Sequence, residues 1–352
     1  MSKKEAIEDP IHIVVAFQDS KGTYSQHAGV VMASIFERTK SPVCVHVLHD
    51  ETLTELNRSL LLETAEFFGQ NVSFHDVSAY IERLGDETNR AFQGNGDIGA
   101  LFRLAIPETL HLDKVIYLDC DVVVNMDIRE LWDISMDDCS CAGALATPYG
   151  RFSSTAFGMR LMGCDVEKYV NSGVLLMDIP RMRKKLDIRQ VCRWFKRYRY
   201  CASFPDQDMI NSCFRGEIKI LEDRFNNRDA TKNATFCDDV NAPGVAGSIL
   251  HATMAKPWAT PKGSAVDRLY WRAFLKTPWG KLSHEELVDL IIDIFQKSPL
   301  THRRTSQCYG KFFHRLKKDI CANDILRTAA LFLKALFHET KYLLARRESE
   351  KI

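Results

Sequence analysis

The sequence predicts an α/β protein, with an open, mostly parallel sheet flanked by helices and a helical C-terminal extension. Three observations carry that prediction. Apolar, β-branched runs are continuous rather than alternating, the mark of strands buried on both faces. These runs alternate with stretches of helical apolar spacing, so successive strands are parallel and joined by right-handed crossovers. The chain has 352 residues, 45% hydrophobic and 26% charged, which is enough to build one large core.

"IHIVVAF" (residues 11–17) reads as the first buried strand and stops at the polar turn "QDSKGTYS". A helix follows over about residues 26–38. "PVCVHVLHD" (42–50) is the second strand. Thr52 then caps a helix, with Glu55 at the capping-box position and apolar spacing to Phe68. "NVSFHDV" (71–77) is the third strand. "NGDIGALFRLAIPETL" reads as a helix with Asp97 as its cap, its apolar run broken by Arg103. "KVIYLDCDVVV" (114–124) reads as one buried strand carrying Asp119 and Asp121. A short helix "IRELWD" and a strand "CAGALAT" come next. Residues 148–164 are rich in Gly, Ser, Phe and Met without a period, and read as a loop over a site. "YVNSGVLLMDI" (169–179) is a strand, followed by a basic helix to Tyr200 and another helix from about Asp206. "GSILHATMAKPWAT" is a short strand running into a loop, and from about Val266 the chain reads as helical.

Composition bounds the function. No stretch approaches the roughly 18 apolar residues of a membrane span. "MSKKEAIEDP" has no apolar h-region, and the eleven cysteines form neither a CxxC pair nor a zinc-spaced comb. The expectation is a cytoplasmic protein with reduced cysteines. The net charge of +1 hides an asymmetry: residues 301–352 carry 12 Lys and Arg against 5 Asp and Glu, and the preceding 300 carry 35 against 41. The alternating basic and aromatic "HRRTSQCYGKFFHRLKK" leads to an amphipathic pattern over residues 325–344. There Ile325, Ala329, Phe332, Leu336 and Leu343 share one face, and Arg327, Lys334, His338 and Lys341 the other. Such a helix fits an anionic membrane surface, or packs on the domain with a solvated basic face. No nucleic-acid motif accompanies the charge, so no nucleic-acid partner is expected.

In an open parallel sheet, ligands bind beyond the C-terminal ends of strands. With a strand period of two, Asp119 and Asp121 point the same way. Their repulsion needs a proton, a cationic residue or a metal ion between them. Hard oxygen ligands suit Mg²⁺ or Mn²⁺ beside a phosphorylated ligand. The same pair, taken alone, fits a solvated strand-end turn equally well. His251 ends the "SIL" strand, where an imidazole can complete a metal site, although most strand-end histidines are structural. Lys256 can add charge to a diphosphate or be a plain surface lysine. Arg103, inside an apolar helix, needs a carboxylate or phosphate partner unless it snorkels to solvent.

"ALFRLAIPETLHLDKVIYLDCDVVV", "YVNSGVLLMDI", "FPDQDMIN" and "HATMAKPW" resemble, in order, the motifs of the retaining family 8 glycosyltransferases, which include glycogenin and the bacterial lipopolysaccharide galactosyl- and glucosyltransferases. The first βα unit is similar too. The resemblance implies a GT-A fold, Rossmann-like, with a nucleotide-sugar-binding catalytic domain over residues 1–262 and a basic helical region over 263–352. It implies that Asp119, Asp121 and His251 hold Mn²⁺ or Mg²⁺. Lys256 then meets the diphosphate, and Arg103, Asn171 and Ser172 lie by the donor sugar. Asp206 and Gln207 lie under the sugar's reacting face, and Ala16, Phe17 and Gln18 receive the uracil. Gln18 stands where family members often have an acid, and the segment from His251 to Lys256 is shorter than usual. The implied reaction moves galactose or glucose from a UDP-hexose to a saccharide or glycolipid acceptor with retention, in bacterial lipopolysaccharide or cell-surface glycan synthesis at the inner face of the plasma membrane. Gln207 is a poor nucleophile for a double displacement, which favours a front-face route. The competing readings are a sugar nucleotidyltransferase, disfavoured by the single glycine of "QDSKGTYS", and a non-catalytic membrane-associated UDP-sugar-binding protein.

Overall fold

The computed structural model describes residues 9–92, 98–146, 153–198, 200–228, 239–253, 256–259, 261 and 263–281. In chain order these form β1 (Ile11–Ala16), α1 (Tyr24–Phe36), β2 (Val43–His49), α2 (Glu55–Phe67), β3 (Asn71–Asp76), α3 (Ser78–Phe92), a 3-10 turn (Ile98–Leu101), α4 (Phe102–Thr109), β4 (Lys114–Leu118) and β5 (Val122–Asn125). The chain continues through α5 (Arg129–Trp132), β6 (Cys141–Leu145), α6 (Ser154–Leu161), β7 (Val170–Asp178), α7 (Ile179–Arg183), α8 (Ile188–Tyr198) and α9 (Pro205–Cys213). It closes with β8 (Ile218–Leu221), a 3-10 turn (Asp223–Asn226), β9 (Ser248–His251) and α10 (Ala265–Phe274).

Seven strands form one sheet in the order β3-β2-β1-β4-β7-β6-β8. Strands β3, β2, β1 and β4 are parallel, as the alternating βα pattern requires. Strand β7 runs antiparallel to both β4 and β6, whereas β6 and β8 are parallel to each other. Continuous apolar runs serve two cores. Ile11, Ile13 and Val15 enter the one that receives α1, and Val14 and Ala16 enter the one that receives α4. Mixed strand direction is invisible to periodicity, because a buried strand reads the same either way.

The run 114–124 is two strands rather than one. β4 stops at Leu118, and Asp119, Cys120 and Asp121 make the turn. β5 then leaves the main sheet to pair with β9 in an antiparallel ribbon, opposing Val122 to His251. Two outer partners enforce the break. The Asp119 N–H donates to the Gly173 carbonyl of β7 at 2.8 Å, and the Ala252 N–H donates to the Asp121 carbonyl at 2.9 Å. The two aspartates thus lie in the turn that links strands of different sheets, and they converge through that turn rather than through strand pleat. Cys120 points into the α1-side core as expected of a small packing residue.

Part of the expected loop 148–164 is helix α6, started by Ser153, whose hydroxyl accepts from the Ala156 N–H. The helix expected from Asp97 begins as a 3-10 turn before α4. Helix α10 belongs to the same compact unit as the sheet, and its Tyr270 hydroxyl meets His27 Nδ1 of α1 at 2.6 Å. The basic segment from residue 301 and the amphipathic pattern over 325–344 lie outside the described residues. Among the described residues no helix is long and apolar enough to cross a membrane.

Ile13 is fully buried between Val45 of β2 and Ile116 of β4. Ile13→Ala is expected to cost about 2–5 kcal/mol of stability in urea unfolding, through lost transfer energy and the cavity left behind. A loss below about 0.5 kcal/mol would contradict its central place.

Candidate active site

The turn after β4 and the end of β9 bring three expected ligands together. Oxygens of Asp119 and Asp121 and a ring nitrogen of His251 all lie within 4.8 Å of one another. His251 Nε2 is 3.0 Å from Asp121 Oδ1 and 3.7 Å from Asp119 Oδ2. The other ring nitrogen, Nδ1, lies 2.8 Å from Asn226 Oδ1. Asn226 Nδ2 donates to Asn171 Oδ1, so the amide network presents Oδ1 to His251 as an acceptor. Nδ1 therefore carries a proton, which turns Nε2 toward the two carboxylates as the nitrogen a metal ion would meet. Asp121 Oδ1 is buried and has no hydrogen-bond partner among the described residues. A proton or a metal ion between Nε2 and Oδ1 would join them across 3.0 Å. That orphaned oxygen, the donor set and the oriented imidazole fit a divalent metal ion.

Gly173 opens the space. A Cβ there would stand 2.6 Å from Asp119 Oδ2 and closer still to the His251 ring. Only glycine lets β7 pass this near the three ligands. Lys256 reaches in from the loop after β9, and its ammonium donates to Asp121 Oδ2. Burial alone would raise the Asp121 carboxyl. The His251 imidazole and Lys256 ammonium beside it outweigh that and hold it below the usual carboxylate range.

Arg103 of α4 turns inward rather than snorkelling. Its Nη2 donates to Asp119 Oδ1 at 2.8 Å, its Nε lies 3.2 Å from Asp206 Oδ2, and its Nη1 donates to Ser172 O and Oγ. The guanidinium also lies over the Tyr117 ring, whose hydroxyl donates to Asp119 Oδ1 at 2.7 Å. Asp206, at the start of α9, accepts from Ser172 Oγ at 3.1 Å, and burial raises its carboxyl against the opposing pull of Arg103. Gln207 Oε1 accepts from Asn171 Nδ2 and from the Ser172 N–H, at 2.9 and 3.0 Å. Gln207 Nε2 donates to the Tyr169 hydroxyl. The oxygen end of this amide holds Asn171 and Ser172 of β7, and the nitrogen end holds Tyr169 just before that strand.

The expected uracil residues follow β1. Ala16 and Phe17 are buried, and the Phe17 ring belongs to the α1-side core, so its backbone is what it can offer a ligand. Gln18 Nε2 donates to Asp50 Oδ2 at 2.7 Å, so an acid is present beside this amide, supplied from the end of β2. Asp19 caps α1 by accepting from the Tyr24 and Ser25 N–H groups. Thus the structure gathers Asp119, Asp121, His251, Lys256, Arg103, Asn171, Ser172, Asp206 and Gln207 around one centre, while Ala16, Phe17 and Gln18 lie at the end of β1. Sequence reasoning missed Asn226, Gly173, Tyr117 and Asp208. Tyr117 lies two residues before Asp119 and could have been found by strand period. Asn226 sits in a 3-10 turn within a polar stretch that carries no signal.

Asp208 supports the site from below. It accepts from the Tyr169 hydroxyl and from the Ser203 and Phe204 N–H groups, yet burial pushes its carboxyl up to about 6. A raised carboxyl binds its proton more tightly folded than unfolded. Its contribution is therefore fullest near pH 4 and is lost as pH rises through about 6. Relative to Asp208→Asn, the wild type is expected to lose on the order of 2–3 kcal/mol between pH 4 and 7 in urea unfolding. A pH-independent difference would contradict the burial argument.

The profile of glycosyl transferase family 8 matches residues 14–260. The chain is 22% identical over 204 residues to a protein of Haemophilus influenzae, spanning 58% of this chain and 60% of that one. It is 24% identical over 227 residues to general stress protein A of Bacillus subtilis, spanning 62% and 74% of the two chains. Against glycosyltransferase GlyB of Streptococcus pneumoniae it is 24% identical over 216 residues but spans half of that protein. Among solved structures, the galactosyltransferase LgtC in complex with donor and acceptor sugar analogs superposes with a TM-score of 0.63 at 23% identity, covering 78% of this chain and 98% of that one. The bifunctional glycosyltransferase WbbM in apo form gives 0.61 at 19% identity, covering 84% and 53%. These likenesses show the expected GT-A fold. Since the profile spans more than half of the chain, and covers both the sheet and the Asp119–Asp121–His251 cluster, the protein belongs to glycosyl transferase family 8.

Proposed function

We propose that this protein is a metal-dependent, retaining hexosyltransferase that moves galactose or glucose from a UDP-sugar to a saccharide or glycolipid acceptor. The observation that carries the reading is the convergence of Asp121 Oδ1, which has no hydrogen-bond partner among the described residues, and His251 Nε2, 3.0 Å apart, with Asp119 beside them. Asp119, Asp121 and His251 would hold Mn²⁺ or Mg²⁺, which when bound supplies charge neutralisation for a departing diphosphate. Family membership, and the donor and acceptor sugar analogs bound to LgtC, support a nucleotide-sugar donor and a sugar acceptor.

The chain's own residues divide the rest of the work. Lys256 pairs with Asp121 and is positioned to exchange that carboxylate for a diphosphate oxygen. Arg103 ties Asp119 to Asp206 and to Ser172 of β7, so one guanidinium fixes both ends of the donor pocket. The Gln207 carbonyl oxygen is occupied by two N–H donors, which makes it a positioning group rather than a nucleophile. Asp206 is buried and already engaged with Arg103 and Ser172, so it too is poorly placed to attack. A front-face transfer fits these constraints. The acceptor hydroxyl bonds to the anomeric carbon on the side the diphosphate leaves, and its proton passes to the leaving phosphate oxygen.

The basic C-terminal region, residues 263–352, is part of the same proposal. Its charge would hold the enzyme at the cytoplasmic, inner face of a bacterial plasma membrane, where a growing lipopolysaccharide acceptor is available.

Hydrolysis of UDP-galactose and UDP-glucose with Mn²⁺ tests the reading. One donor is expected to be hydrolysed, with the rate in Asp121→Ala falling at least about 100-fold. Turnover of neither donor, or full activity in the variant, would overturn it.

A further inference from the structure

A second cluster of metal-binding groups lies on the main sheet, built from strands rather than from the strand-end turn. Strand period two puts Cys44 and His46 on one face of β2. The parallel register sets His12 of β1 opposite Cys44, and Ser73 of β3 opposite His46. His12 Nδ1 lies 3.0 Å from His46 Nε2. A ring nitrogen of each of these histidines and the Cys44 sulfur all lie within 4.8 Å of one another. His12 and Cys44 are each the second residue of their strand, whereas Asp119 follows the last residue of β4. The two clusters therefore sit toward opposite ends of the parallel strands.

We propose that His12, Cys44 and His46 form a second metal site, selective for Zn²⁺ or a cation of its borderline-soft class. The donor set is two imidazoles and a thiol with no carboxylate, which suits Zn²⁺ and disfavours Mg²⁺ or Mn²⁺. The remote nitrogen of the most buried ligand is already provided for. His46 Nδ1 lies 2.8 Å from Ser73 Oγ and 3.1 Å from His75 Nε2, the outer contacts that orient a ligating imidazole. Burial lowers all three histidines of the row, His46 to about 4, so at neutral pH they stand in the uncharged form that binds metal. Burial also raises the Cys44 thiol, with a hydrogen bond to Ser73 opposing it in part. The thiol therefore stays protonated until a cation arrives. Binding forms the sulfur–metal bond and releases one proton to solvent. Three protein donors leave the fourth position of a tetrahedral ion to water, and the ion clasps β1 to β2.

Cobalt substitution in the full chain tests this, because a cobalt–thiolate bond gives a near-ultraviolet charge-transfer absorption that the Asp119–Asp121–His251 cluster, having no cysteine, cannot give. One equivalent of Co²⁺ is expected to produce that absorption, and Zn²⁺ to abolish it by displacement. Cys44→Ser is expected to lose it, and His12→Gln, at a half-buried position that tolerates polar side chains, to weaken Co²⁺ binding at least about 10-fold. Absence of the absorption in the wild type would show that the row is a hydrogen-bonded histidine chain and overturn the proposal. So would its survival in Cys44→Ser, or an unchanged affinity in His12→Gln.

Discussion

The site depends on one hydrogen bond, between His251 Nδ1 and Asn226 Oδ1. It commits a proton to Nδ1 and turns Nε2 toward Asp121 Oδ1, 3.0 Å away. Held that close in a buried setting, the pair calls for a proton or a metal ion between its two atoms. The formal charges agree. Asp119, Asp121 and Asp206 bring three negatives, and Arg103 and Lys256 two positives. A divalent ion turns the net −1 into +1, a suitable host for a diphosphate. Asn226 does double duty, because its amide nitrogen also ties Asn171 of β7 and hence the strand segment that Gln207 holds.

The surrounding fold exists to make that convergence possible. Asp119 and Asp121 sit in the turn between two sheets because β4 ends on β7 and β5 opens a ribbon with β9. The ribbon register places His251 opposite Val122, one residue from Asp121. Gly173 removes the side chain that would otherwise fill the gap. Arg103 of α4 then cross-links the Asp119 turn, β7 and α9, so four separated segments share a single cation.

Much of this was legible in the sequence, and the reasons differ from residue to residue. The parallel half of the sheet was readable because buried β-branched runs alternate with helices. Asp119, Asp121, Arg103, Asn171, Gln207, His251 and Lys256 were readable as ordered motifs, each weak alone. The break between β4 and β5 was not, since both halves are equally apolar and the reason for the turn lies in partners from β7 and the β9 end. The direction of β7 was hidden because burial on both faces erases any directional pattern. Asn226 has no local signal. The row His12, Cys44 and His46 escaped for a related reason: its ligands come from adjacent strands, and register rather than sequence spacing brings them together.

The proposed metal site depends on Asn226 orienting His251 toward a cation, and Mn²⁺ affinity in the presence of UDP tests that most directly. The wild type is expected to bind one Mn²⁺ at this cluster, and Asn226→Ala to bind it about 10–100-fold more weakly, as loss of the partner of a ligating histidine does elsewhere. An Mn²⁺ affinity unchanged by Asn226→Ala, or no Mn²⁺ binding by the wild type, would contradict it.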